Sequence, residues 1–213
     1  MTNPEITLVG RSSSHFTRTA RIFALELGVP HTFQPVLDIT STDRASYADN
    51  PALKVPILID AQGPLYGTEN ICRELARRSG AGARVVLRGD VADRVVANVE
   101  EMVLHAMGSG VTLIVTALAG NEQATPPKVR RSLENALAFL DTNVERALEA
   151  LPPERALSFC ETSLYCMVTH LPFRKLMEVD GYPRLAAFCG TFGERASARA
   201  TEYRFDAAAP AAT

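Results

Sequence analysis

The feature that most constrains this chain is a change of character at "SGAGAR", residues 79 to 84. Before this stretch, strand and helix signals alternate; after it, only helix signals remain. Small-residue clusters of this kind punctuate a chain and mark domain boundaries. The 213 residues are enough for two small domains. They are expected to divide into a first domain over 1–78, a linker over 79–84, an all-helical domain over 85–206, and a disordered tail over 207–213. That tail, "AAAPAAT", has nothing to bury.

In the first part, Ile6 to Val9 reads as a short strand. Ala20, Phe23, Ala24 and Leu27 then recur at the spacing of one helix face. Gly28 and Pro30 supply the stop. Thr32 to Val36 is a second strand, with Pro35 predicting an edge position. A strand, helix and strand at this spacing imply a right-handed crossover between parallel strands. Asp43 to Asn50 suits a short helix or irregular turn. Ile57 to Asp60 and Leu65–Tyr66 flank the glycine-containing loop "AQG" and read as a hairpin. A helix from Thr68 to about Arg78 follows, with Ile71 and Leu75 one turn apart. The order predicts one mixed four-stranded sheet covered by helices. Within "NPALKVPILID", Pro56 leaves two readings open. It is either a trans proline at a strand start, or a cis proline that turns the backbone of Val55 outward.

In the second part, Asp90 is expected to cap a helix carrying Val91, Val95, Val99, Met102 and Ala106 as a stripe. Pro126–Pro127 opens another helix, with Leu133, Leu137, Leu140 and Val144 on one face. "SFCE", Ser158 to Glu161, has the capping-box form. One final helix is expected from Pro183 towards Ala198. Apolar residues make up 46% of the chain and charged residues 22%, the balance of a globular protein. A net charge of −2 provides no basic footprint for nucleic acid or an anionic membrane. The longest apolar run, Val111 to Ala119, falls short of the roughly 20 residues of a membrane helix. No signal peptide is visible, and Cys72, Cys160, Cys166 and Cys189 lack disulfide-framework or zinc spacing. His15, His31, His105 and His170 form no metal-ligand pattern either. These features predict a reduced, cytoplasmic protein without a metal.

The order βαβ, connecting helix, ββα, followed by helices only, resembles the cytosolic glutathione transferase superfamily. Particular residues carry the likeness. Ser14 to Arg21, "SHFTRTAR", is similar to the S-P-x-x-R-x-x-R entry of that family's first helix. "NPALKVPIL" is similar to its N-P-x-x-K-V-P-x-L, whose proline is cis. "LYGTENICREL" stands where an acid-Ser-x-A-I signature opens the third helix. "SFCE" and "YPRLAAF" match its capping box and final-helix entry. Two departures stand out: His15 replaces the usual proline, and Gly67 replaces the usual acid or glutamine, while Thr68 keeps the hydroxyl.

The resemblance implies an α/β thioredoxin-like domain followed by an all-α domain, and a homodimer. It also implies glutathione as co-substrate, with its thiolate attacking a small hydrophobic electrophile. A free thiol has a pKa near 8.5, so a hydroxyl donor and a helix N-terminus are needed to favour the thiolate at neutral pH. Ser14 matches the family position for that role, with Ser12 and Ser13 as alternatives; all three also suit plain helix capping. Val55, ahead of Pro56, would pair its backbone with glutathione as an added strand. Lys54 would meet the glycyl carboxylate, and Thr68, beside Gly67, the γ-glutamyl carboxylate at a helix N-terminus. Phe16, Arg94, Asn98, Glu101 and His105 would face the second substrate between the domains; Glu101 and His105, four apart, also suit a solvated pair. Arg18 and Arg21 are expected to be surface or interdomain charges. The competing reading is a non-catalytic protein of the same fold that binds a ligand or partner. A thioredoxin-like oxidoreductase ranks behind both, because no cysteine opens the first helix.

Overall fold

The structure is a computed structural model, and it describes residues 6–80, 84–120 and 126–207. Half of the expected linker (81–83) and most of the expected tail (208–213) lie outside the described residues. The sheet half runs β1 (Thr7–Gly10), α1 (His15–Glu26), β2 (Thr32–Pro35), a 3₁₀ turn (Arg44–Tyr47), β3 (Ile57–Asp60), β4 (Gly63–Tyr66) and α2 (Thr68–Ser79). The helical half runs β5 (Val85–Val86), α3 (Arg94–Leu118), α4 (Pro127–Ala150), β6 (Leu157–Ser158), α5 (Phe159–Phe173), α6 (Pro183–Gly193) and α7 (Ala196–Ala200).

The sheet order is β2-β1-β3-β4. β2 pairs parallel to β1, and β3 pairs antiparallel to both β1 and β4. The expected crossover, edge strand and hairpin are all present. α1 and α2 cover one face, with Ala20, Phe23, Ile71 and Leu75 buried against Leu8 and Leu58. Gly10 is what allows α1 this close: a Cβ there would overlap the side chain of Thr17. The Val55–Pro56 bond is cis.

In the helical half, Val96, Val99, Val103 and Met107 of α3 pack against Leu133, Leu137, Leu140 and Val144 of α4. Among the described residues, α3 is the one helix long and apolar enough to cross a membrane, and that buried stripe belongs to the core. The two halves share apolar contacts, because Phe159 and Leu157 join the core of the sheet half while Ile22 of α1 joins Tyr165, Cys166 and Phe192.

Three expectations need correction. Asp93, not Asp90, caps α3, accepting from the N–H groups of Val95 and Val96. Asp90 instead closes the preceding turn by accepting from Leu87 N at 2.8 Å, and Val91 lies ahead of the helix. The single final helix is two: the chain breaks at Glu194–Arg195, where Arg195 Nη1 and Ser197 Oγ both donate to Glu26 of α1. At the Ser158 cap, Glu161 N donates to Ser158 Oγ as a capping box requires, but the Glu161 carboxylate takes the Ser158 hydroxyl and a fork from Arg155. The two-residue pair β5–β6 has no periodic signal and was not expected. α6 has no side-chain cap of its own; Asp141 of α4 supplies one, accepting from Arg184 N and Leu185 N at 2.9 and 3.0 Å.

Candidate functional site

The strand register brings the sequence-predicted residues of the sheet half to one place. Val9 stands opposite Ile57, and Ile57 opposite Tyr66, both antiparallel. The C-terminal ends of β1 and β4 therefore flank the start of β3. The serine loop leaves β1 there, Val55–Pro56 enters β3 there, and Gly67–Thr68 leaves β4 there. Adjacent strands lie about 4.8 Å apart, so the three segments span roughly 10 Å. That is about the length of an extended tripeptide. Both α1 and α2 begin at this end, so the partial positive charge of two helix N-termini falls on it.

The three serines of the run are not equivalent. Ser12 is buried; its N–H donates to Asp206 Oδ2 at 2.8 Å, and Arg21 reaches its hydroxyl at 3.5 Å. Ser13 is buried as well, its hydroxyl accepting from Arg11 Nε at 3.4 Å. Ser14 is the half-buried N-cap of α1, accepting from Thr17 N at 3.3 Å. A capping hydroxyl uses a lone pair. The Ser14 O–H proton has no acceptor among the described residues.

Behind this loop lies a contact that joins the two halves and that the sequence did not suggest. His170 of α5 bonds through Nε2 to the Ser13 carbonyl at 3.0 Å, and its Nδ1 lies 2.8 Å from His15 Nδ1. The carbonyl can only accept, so His170 donates from Nε2 and presents a lone pair at Nδ1. His15 then donates from Nδ1, leaving its own Nε2 as an acceptor without a donor. That nitrogen is buried and unpartnered among the described residues. Burial lowers the His170 pKa to about 4, more than the Ser13 bond raises it, with the Arg174 and Arg18 charges adding to the lowering. Burial, His170 and Arg174 push His15 down as well. Both rings are neutral at pH 7.

Arg18, one turn along α1, is an interdomain charge and not a surface one, with 3% of its area exposed. It donates to Thr169 Oγ1, Tyr165 Oη, Thr201 Oγ1 and Ala198 O at 3.0–3.4 Å. Its guanidinium lies over the rings of Tyr165 and Tyr203, at 4.8 and 4.3 Å. It makes no ion pair among the described residues, so hydrogen bonds and ring faces alone solvate the charge. Arg21 is half-buried over Phe33. No spacing rule links residues 15 and 18 to residues 165–203. Only packing reveals them.

At β3, Asn50 is buried and shapes the approach: its side-chain nitrogen donates to Lys54 O at 2.8 Å and its oxygen accepts from Ala52 N. Lys54 itself is exposed. Val55 is half-buried, and neither its N–H nor its C=O is bonded to a described residue. At α2 the N-cap is Gly67, not Thr68; Thr68 is the first helical residue. Gly67 has φ +90° and provides no side-chain cap. The glycine is therefore required by the backbone, in a region that other residues enter at a cost. Asn70 bonds back to Tyr66 O at 3.0 Å, and Glu69 pairs with Arg73.

Four of the residues expected to face a second substrate lie on α3. Arg94, Asn98, Glu101 and His105 share an exposed face, and none lines either of the two clefts found in the helical half. Glu101 pairs with Arg88 at 2.5 Å, and His105 lies 3.5 Å from Ser109 Oγ. The buried carboxylate is its neighbour Glu100. Burial raises its pKa to about 7, against the opposing Arg88 charge and a Gly89 N–H bond; Glu69 and Asp90 raise it further. Phe16 is half-buried on the core of the helical half, its ring 4.5 Å from that of His15.

Residues 8–82 match the family model described as glutathione S-transferase, N-terminal domain. The sequence matches no curated protein. Among solved structures, a glutathione S-transferase from Methylobacillus flagellatus with glutathione bound shares 20% identity. The match covers 93% of this chain and 100% of that one, with a TM-score of 0.77. A glutathione transferase family member from Pseudomonas fluorescens, also with bound glutathione, shares 23% identity over 93% of this chain and 99% of its own, at 0.73. A glutathione S-transferase from Methylobacterium radiotolerans, in complex with glutathione sulfonate, shares 18% over 98% and 100%, also at 0.73. The chain has the fold of the cytosolic glutathione transferase superfamily, with a thioredoxin-like first half and a helical second half.

Proposed function

We propose that this chain is a glutathione transferase that holds glutathione across the open end of its sheet and directs the thiolate at an electrophile. One observation carries the reading. The unspent hydroxyl of Ser14, at a helix N-terminus, shares that sheet end with the unpaired backbone of Val55. Ser14 donates to the sulfur and, with the α1 terminus, favours its anionic form. Ser12 and Ser13 are poorer candidates, because both are buried against arginines. Val55 pairs its N–H and C=O with the cysteinyl unit, Pro56 sets that strand start, and Lys54 meets the glycyl carboxylate. The α2 terminus at Gly67–Thr68 receives the γ-glutamyl carboxylate. A homodimer, a cytoplasmic location and a domain division at 79–84 go with this reading.

Gly67 offers no carboxylate or amide to the γ-glutamyl ammonium. A hydrogen bond to a charged group contributes about 1.5–3 kcal/mol, so its loss weakens binding roughly 10- to 100-fold. The expected Kd is in the high micromolar to millimolar range, measured by calorimetric titration with reduced glutathione. Gly67 is also the observation that favours the second reading, a non-catalytic binding protein of this fold. Absence of binding at millimolar glutathione selects that reading. Thiolate absorbance against pH tests the role of Ser14. Ser14→Ala should move the midpoint to higher pH and lower the rate with an activated aryl halide roughly 10- to 100-fold, with affinity little changed. Ser12→Ala and Ser13→Ala should leave the midpoint in place; a shift in either assigns the role to that serine.

A further inference from the structure

One ring of the helical half grips Ser14 from both sides. The carbonyl before it, Ser13 O, accepts from His170 Nε2 at 3.0 Å. The side chain after it, His15, meets His170 Nδ1 at 2.8 Å, and the two rings stand edge to face with centroids 4.3 Å apart. Ser13 C=O and Ser14 N–H belong to one planar peptide, so a bond to the carbonyl also orients the N–H. That N–H donates to Arg11 O at 3.1 Å, which pins the other end of the same peptide. Only the side-chain torsion of Ser14 is left, and the bond from Thr17 N restricts it. The proline usual at position 15 in the superfamily has no side-chain group that could make the histidine contact.

The pair has room for a fixed number of protons. When both rings are neutral, His170 Nε2–H serves Ser13 O and His15 Nδ1–H serves His170 Nδ1. His15 Nε2 is bare and buried, without a partner among the described residues. A further proton ends on that nitrogen by either route. If His15 takes it directly, Nε2 becomes a donor. If His170 takes it at Nδ1, His15 must accept there and carry its own proton at Nε2. Both routes bury an N–H that has no acceptor among the described residues, which is costly. One proton more sets two N–H groups head to head across 2.8 Å.

The charges around the pair add to the penalty. Arg174, the cap of α5, bears on both rings, and Arg18 of α1 bears on His170; both are cations. Tyr203 of the C-terminal segment faces His170 with ring centroids 5.2 Å apart, and burial keeps its phenol neutral. Phe16 and Phe173, the other rings in contact, carry no charge. Arg11 and Asp206 hold the serine loop itself, at the Ser13 hydroxyl and the Ser12 N–H. No carboxylate bonds to either histidine among the described residues.

We propose that His170 is a positioning residue for Ser14, and that the His15–His170 pair is a latch between the two halves, closed while both rings are neutral and released by proton uptake. Release frees the Ser13 carbonyl and the start of α1 together, so the Ser14 hydroxyl loses its place as the medium turns acid. The effect on thiolate chemistry rests on the transferase reading above. The latch itself does not.

Two substitutions separate the grip from the fold. His170→Phe keeps a ring beside Tyr203 and loses both bonds, whereas His170→Gln keeps an amide donor for Ser13 O. At pH 7 the phenylalanine variant should raise the thiolate midpoint and lower kcat roughly tenfold, with KM for glutathione little changed. The glutamine variant should restore most of the rate. In a Ser14→Ala background His170→Phe should move the midpoint no further, because both act through one hydroxyl. An additive shift, or none from His170→Phe alone, overturns the positioning role. Hydrogen exchange in the ligand-free chain tests the latch without glutathione. Protection of the Ser14, Thr17 and Arg18 amides should fall as pH drops from 6.5 to below about 4, the range set by His170, while the α4 amides keep theirs. His15→Phe combined with His170→Gln leaves no titrating ring and should abolish the step. The same step in that variant, or protection lost everywhere at once, or protection held throughout, overturns the latch. A midpoint unmoved by Ser14→Ala, or no glutathione binding, defeats the transferase reading instead, and hydrogen exchange alone then decides the latch.

Discussion

Two helices begin at the same end of the sheet, yet their N-termini are built in opposite ways. α1 opens with a side-chain cap, Ser14, on a loop held from behind by the other half of the molecule: His170 on Ser13, Asp206 on Ser12, and Arg18 deep in α5 and α7. α2 opens at Gly67, exposed, with no side-chain cap. The first terminus presents one hydroxyl in a fixed position, as stabilising a developing charge on sulfur requires. The second presents bare N–H groups that suit a carboxylate and provides nothing for an ammonium. A helix N-terminus alone therefore does not define a role. What holds it, and what it leaves unpaired, do.

The strongest way to break this contrast is to release α1. Arg18→Met keeps the stem but strands Tyr165, Thr169 and the Ala198 carbonyl. It should cost about 3 kcal/mol, lowering Tm by roughly 6–12 °C, and should raise the Ser14-dependent thiolate midpoint towards that of free thiol. An unchanged midpoint in the folded variant would mean that the interdomain contacts do not position the serine loop.

A smaller effect is expected at α2. Gly67→Ala places a side chain at φ +90°, where an added Cβ would come no closer than 3.4 Å to the Asn70 amide. The cost is then conformational, about 1–2 kcal/mol, or roughly 2–8 °C in Tm. The midpoint for the thiol should stay put. For the same reason Gly67→Glu cannot serve as a simple gain-of-affinity test, because the carboxylate would arrive on a strained backbone.

A third kind of effect lies in pH dependence, and the two regions should differ in sign. The folded pKa of His170 lies near 4, below the ordinary 6.5. Between those values the unfolded chain takes up a proton that the folded one refuses, so stability falls as pH drops through that window. The folded pKa of Glu100, near Glu69 at the start of α2, lies near 7, above the ordinary 4.5. There the folded chain keeps a proton that the unfolded one loses, so stability falls as pH rises. Glu100→Gln should raise Tm at pH 8 relative to the native chain and make no difference at pH 4. Equal Tm at both would remove Glu100 from the account.

Much of this was legible in the residues. Ala20, Phe23 and Ala24 at helical spacing, Pro35 at an edge and the loop "AQG" led to the correct sheet, because periodicity and turn chemistry are local properties of the chain. Caps were less secure. Asp90 and Asp93 are both good capping residues, and only the turn at Gly89, with the Asp90 carboxylate accepting from Leu87 N, decides between them. The α3 face of Arg94, Asn98, Glu101 and His105 illustrates the same limit. Spacing aligned those side chains correctly, but could not say whether their common face met a cleft or water.

By itself the sequence determined where the strands of the four-stranded sheet and the helices α1, α2 and α4 lie, that the chain changes from mixed to helical near residue 80, and which residues open α1 and enter β3. Those are consequences of side-chain period, proline geometry and glycine's freedom, all carried within a few residues. Only the tertiary structure decided which of three adjacent serines stays half-buried and free of an arginine partner, that His15 meets His170 across 155 positions, that Arg18 is buried, and that five cations converge on one cleft. The physical reason is separation along the chain. A hydrogen bond or a field depends on distance in space, and for groups this far apart in sequence that distance is set only when α1 packs against α5.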